Sequence, residues 1–228
     1  MNIPIIYEDN HLLVVEKKIN VPVQADQSGD DDMLSILKRM IKVRDKKPGN
    51  VYLALVHRLD RPVGGVMVFA KTSKAASRLS DVIRRNKLDR KYLTVVRGTP
   101  QEKQARLEHF LHKDRRRNFV NVVDKHQKGA QKAILDYEVL DSREGLSLVS
   151  VTLHTGRSHQ IRVQLSHIGH PIFGDQRYGQ RVNRPGQQIA LWAHSLAFPH
   201  TTTKEVNSYK AYPPIEYPWT LWPSILKR

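Results

Sequence analysis

The 228-residue chain contains no cysteine, which excludes disulfides, thiolate zinc sites and cysteine nucleophiles together. It is also short of acid. Asp and Glu number 22 against 38 Lys and Arg, giving a formal net charge of +16 and an isoelectric point near 10.1. An excess of that size points to a polyanionic partner, because each cation placed beside a phosphate releases condensed counterions. Long apolar runs are missing. Residues 1–7 hold only a brief apolar stretch with no basic segment before it, so neither a signal peptide nor a membrane span is expected, and a cytoplasmic location is. Aromatic residues are few, yet a hydrophobic fraction of 39% is that of a folded chain. With no internal repeat and no low-complexity linker, one folded unit over residues 1–228 is expected, burying roughly 70% of its unfolded surface.

The order of patterns predicts an α+β fold. Residues 3–7 and 12–16 flank the polar turn Glu8-Asp9-Asn10-His11 as a hairpin. Asp30-Asp31-Asp32 can cap a helix reaching about residue 43, with Leu34, Leu37 and Ile41 on one face. Thr72 or Ser73 can cap a second, striped by Ala76, Leu79 and Ile83. Residues 130–140 and 146–153 alternate as a hairpin, and residues 190–198 form a last core strand. In the tail, Pro213, Pro214, Pro218 and Pro223 interleave with Tyr212, Tyr217, Trp219 and Trp222, as in an extended segment packed on a core.

Three stretches carry candidate chemistry. Between the apolar runs 53–56 and 66–70, the loop His57-Arg58-Leu59-Asp60-Arg61-Pro62 sets one carboxylate on a bend stiffened by Pro62, and Gly64-Gly65 follow to permit close approach or positive φ. Read alone, this is a surface turn in which Arg58 and Arg61 neutralise Asp60. Tyr92, in the strand 91–98, reads by periodicity as a half-buried aromatic. The segment Thr155-Gly156-Arg157-Ser158-His159-Gln160-Ile161-Arg162 leads from a strand into a helix that Ser158 can cap. Ile161, Leu165 and Ile168 face inward there, and Gly169 stands at the αL C-cap position. The exposed amides of such a start suit a phosphate. The basic run 112–117 before the strand 119–123 is either a solvated loop or a phosphate-contacting edge.

A metal-dependent nuclease is a rival, because His154, His159, His167, His170 and Asp175 include a His-x-x-His spacing. Gly169 should end the helix before His170, and no acidic cluster accompanies them. A glycosidase-like pair fares no better, since Asp60 has no acidic companion in these motifs.

His57-Arg58-Leu59-Asp60 with Gly65, Lys91-Tyr92 before a strand ending in Gly98, and Gly156-Arg157-Ser158-His159-Gln160-Ile161-Arg162 with His170-Pro171 to Gly174-Asp175 together resemble the motifs of RluA-like pseudouridine synthases. The usual Thr-Ser-Gly after the acidic loop is Val63-Gly64-Gly65 here, and the usual Lys-Pro-x-Gly near the start is Lys17-Lys18-Ile19-Asn20. The resemblance implies a catalytic domain alone, without the small N-terminal RNA-binding domain of many relatives. It implies a bent, largely antiparallel mixed sheet with flanking helices around a central basic cleft, and isomerisation of uridine to pseudouridine in ribosomal or transfer RNA. Asp60 would be the catalytic acid, acting as nucleophile or as proton-transfer base. Tyr92 would stack on the base, Arg162 would pair with Asp60, and Arg58 would fill the gap left by the flipped base. His57, Ile161 and Arg157 would line the substrate. No cofactor and no metal are implied, RNA is the partner, and the chain is expected to act as a monomer. The alternative is a non-catalytic RNA-binding or RNA-folding factor on the same fold.

Overall fold

The computed structural model describes residues 3–224 and 226. The chain forms two compact units, one holding residues up to 89 together with 193–211, the other holding 90–192 and the residues from 212 on.

In the first unit, β1 (Ile5–Glu8) and β2 (Leu12–Lys17) form the expected hairpin, turned by Asp9, whose carboxylate accepts from the amides of His11 and Leu12. Helix α1 (Met33–Arg44) starts at Asp32, whose side chain accepts from the Ser35 amide at 3.1 Å. Only the last of the three acids caps. The buried face is Met33, Ile36, Leu37 and Ile41, one step away from the stripe expected through Leu34. The short β3 (Ala54–Leu55) lies along β4 (Gly64–Ala70), all seven of whose residues are buried. Helix α2 (Ser73–Arg84) is capped by the Thr72 hydroxyl and buries Ala75 and Leu79.

The second unit opens with β5 (Asp89–Arg97), followed by β6 (Gln104–Asp114), β7 (Phe119–Val123), β8 (Gln131–Arg143) and β9 (Leu146–Leu153). These run antiparallel in the order β5-β9-β8-β6-β7. Helix α3 (Gln160–His167) packs Val163 against Leu111, Val120 and Ala133.

Strand β10 (Leu191–Pro199) begins in the second unit and continues from Ala193 in the first, which has the order β1-β2-β4-β10 with β11 (Val206–Lys210) outside β10. The sequence reading ended the core at β10 and missed β11, which alternates weakly and carries Ser, Asn and Lys. In the tail Trp219 and Trp222 are buried, as a packed segment requires, but Trp219–Leu221 coil into a 3-10 turn where extended chain was expected. Three helices beside antiparallel strands make the fold α+β, and among the described residues no helix is long and apolar enough to cross a membrane.

Candidate active site

Asp60 sits on a turn held from both sides. The β3 ladder stops at Leu55, short of the strand expected over 53–56, because the chain turns away and the His57 ring takes over. Its Nε2 accepts from the Val68 amide at 3.1 Å, which leaves that nitrogen unprotonated. Beyond Asp60, whose carbonyl accepts from the Val63 amide at 2.9 Å, the backbone is fastened by Lys17. Lys17 has no exposed surface, and its Nζ donates to the carbonyls of Lys18 (3.0 Å), Arg61 (2.9 Å) and Val63 (2.7 Å). Burial pushes this ammonium down to about 7, with the Asp60 carboxylate opposing the shift and Arg61 adding to it. Gly65 is needed for approach: at φ 123° a Cβ there would stand 2.2 Å from the Ala193 carbonyl oxygen.

The two arginines flanking Asp60 differ in what they meet. Arg61 pairs with Asp30 and lies 3.8 Å from Asp26, while Arg58 is exposed and forms no ion pair among the described residues. Lys17 is the residue sequence reasoning missed; the one signal was its place in the altered Lys-Lys-Ile-Asn stretch.

The second unit holds the other candidates. Tyr92 lies on β5 opposite Val151 and is 8% exposed. Helix α3 buries Ile161 and Arg162. The Arg162 Nε and Nη2 reach the two carboxylate oxygens of Asp175 at 2.8 and 2.9 Å, a bidentate pair sealed from water. Burial pushes the Asp175 carboxyl up, but the Arg162 guanidinium and the amides of Arg177 and Tyr178 outweigh it and hold it below its ordinary value. Asp175 as this partner was not foreseen. The start of α3 also departs from expectation. Ser158 does not cap it; His159 precedes it at φ 52°, with no side-chain cap bond. The Gln160 amide organises this turn instead, its oxygen accepting from the Thr155 hydroxyl (2.8 Å) and the Arg157 amide (3.0 Å). Arg157 is exposed, with Nε on the Lys132 carbonyl. Gly169 takes φ 88° past the helix end, as its position predicted.

The histidines of the metal alternative disperse. His154 bonds Asp136, His159 bonds the Tyr178 hydroxyl, His167 packs edge-on against His109, and His170 faces the Arg97 carbonyl. Among the described residues no three ligating side chains converge. The basic run 112–117 resolves into the end of β6 and a tight turn. Asp114 accepts from the amides of Arg116 and Arg117, and Arg177 donates to the carbonyls of Arg117 and Asn118, so the arginines at the tip stand on a fixed backbone.

A model of the RNA pseudouridylate synthase family matches residues 11–167, and the chain belongs to that family. It is 34% identical over 210 residues to ribosomal large subunit pseudouridine synthase C of Buchnera aphidicola, covering 87% of this chain and 63% of that protein. It is 32% identical over 219 residues to tRNA pseudouridine synthase C of Haemophilus influenzae, covering 88% and 89%. The chain thus spans a little under two thirds of the Buchnera relative. Among solved structures, human RNA pseudouridylate synthase domain containing 4 matches with a TM-score of 0.78 at 23% identity, over 92% of this chain and 88% of that one, a likeness of fold.

Proposed function

We propose that this protein isomerises uridine to pseudouridine within structured ribosomal or transfer RNA in the cytoplasm, as a monomer whose residues 1–228 serve as one catalytic domain. The bond from uracil nitrogen 1 to the ribose breaks, the ring turns, and carbon 5 bonds the ribose in its place; carbon 5 loses its proton to solvent and nitrogen 1 gains one. Asp60 is the catalytic carboxylate, acting at the sugar as nucleophile or as proton-transfer base. The observation that carries this reading is the Asp60 turn itself. The Asp60 carboxylate of this family member is carried on a turn whose backbone is fixed by a buried cation and a histidine ring.

Tyr92 supports the uracil ring and Ile161 adds apolar contact. Arg162, oriented by Asp175, holds the charge and direction of Asp60. His57 positions the loop, Arg157 contacts the strand, and exposed Arg58 takes the space left by the extruded base. Extrusion costs about a few kcal/mol, which cationic contacts to phosphate can offset. No metal or cofactor is called for by these roles.

The test is tritium release from RNA labelled at uridine carbon 5, with wild type and Asp60→Asn side by side and chelator present. Wild type should release tritium and Asp60→Asn should not, while both bind RNA. Substantial release by Asp60→Asn would overturn the assignment of Asp60; binding without release by wild type would favour the non-catalytic RNA-binding factor.

A further inference from the structure

Arg90 is a cation that the fold positions and does not pair. It precedes Tyr92 by two residues on β5, so the two side chains leave the same face of the strand. Its guanidinium lies against the backbone of Gly156: a Cβ on Gly156 would meet Nη1 at 2.5 Å, Cζ at 3.5 Å and Nη2 at 3.6 Å. Gly156 does not have a positive φ, and its missing side chain leaves the space in which this guanidinium lies. The Arg90 Nε is buried with no hydrogen-bond partner, and among the described residues Arg90 forms no ion pair. Other shielded cations of the protein are satisfied: Lys17 has three carbonyls and Arg162 a bidentate carboxylate.

A guanidinium whose buried Nε lacks a partner is unfavourable unless an anion completes it, and its planar fork matches a phosphate bidentately. We propose that Arg90 is a phosphate-binding residue, which takes a backbone phosphate of the RNA on the Tyr92 face of β5 while Gly156 keeps the space for its guanidinium. The assignment rests on the RNA-modifying reading and names the group of the substrate that this residue holds. It gives Gly156 a role that turn chemistry alone does not.

The experiment separates phosphate binding from catalysis. In the Asp60→Asn background, affinity for a fluorescein-labelled uridine stem-loop is measured by anisotropy across a salt series, with and without Arg90→Gln. Loss of one phosphate contact should lower the slope of log affinity against log salt by roughly 0.7–0.9 and weaken binding on the order of tenfold. Arg90→Lys should keep the slope and lose part of the affinity, because it retains the charge without the fork. Gly156→Ala, which displaces the end of this side chain without removing its charge, should weaken binding less than Arg90→Gln, and the double variant should be no worse than Arg90→Gln alone. The thermal midpoint of Arg90→Gln should be unchanged or higher, as removal of an unpaired cation predicts; a structural residue would lower it. An unchanged salt slope in Arg90→Gln, or no RNA binding by the parent, overturns the proposal. If the slope falls but wild type releases no tritium, the phosphate assignment stands and the isomerase reading fails.

Discussion

Replacing Lys17 by Met tests whether the Asp60 turn hangs on a buried cation. Met preserves the unbranched stem and removes only the titrating head. Folding takes the ammonium from its ordinary 10.5 to about 7, and at about 1.4 kcal/mol per unit the full displacement costs about 5 kcal/mol where both states are protonated. Between pH 7 and pH 9 the unfolded chain keeps this proton while the folded one gives it up. The unfolded state then binds more protons, so stability rises with pH, by about 2 kcal/mol over that window. Urea unfolding at pH 7 and pH 9 should show the wild-type midpoint moving up by about 1 M, given slopes of roughly 1–3 kcal/mol per molar urea. Lys17→Met should lack this increment, whatever its absolute stability. It should also lose turnover at pH 7, because the carbonyls of Lys18, Arg61 and Val63 lose their donor. Turnover of wild type should fall as pH rises through about 7 for a related reason: a neutral amine has two N–H groups for three carbonyls. Parallel pH profiles of stability in wild type and Lys17→Met would refute this account of the residue.

Asp175→Asn should destabilise by about 3–5 kcal/mol, since it removes the carboxylate charge from a buried bidentate pair with Arg162, and thermal melting reads this directly. Because the folded Asp175 carboxyl is held below its unfolded value, its contribution is present above pH 4 and lost as pH falls through the folded value, so the variant should show a shallower acid limb. Gly65→Ala should cost more than about 3 kcal/mol or fail to fold, as its Cβ would press on the Ala193 backbone at a φ that suits glycine. Tyr92→Phe should keep most tritium release and Tyr92→Ala should lose it; equal release by Ala and wild type would remove the base-support role.

What the sequence disclosed was whatever short-range rules decide. Asp32 and Thr72 cap their helices because a short polar side chain before an apolar-striped run has one good use for its oxygen. Gly169 ends α3 because αL backbone follows the last turn. Where a distant partner decides, the reading slipped. Lys17 looks like half of a solvated Lys-Lys pair until β4 and the Asp60 turn close over it. The strand at 53–56 shrank to two residues because a ring from the following loop outcompeted the ladder. Ser158 was a reasonable cap by type, yet Gln160 reached both Thr155 and the Arg157 amide and organised that turn instead. Asp60, Tyr92, Arg162 and Arg157 stand as candidates through motif likeness alone; no periodicity separates them from other polar or aromatic positions.

The two clamps on the Asp60 turn have a consequence for how the sequence can drift. Because His57 grips the backbone of β4 and Lys17 grips three carbonyls, the bend is specified by atoms outside the side chains at its apex. Position 58 carries none of that restraint and is exposed. An exchange there therefore leaves the bend intact while the carboxylate two positions on keeps its place. Positions 17, 57 and 65 should resist nearly every exchange in a saturation library scored for folding, and position 58 should accept many.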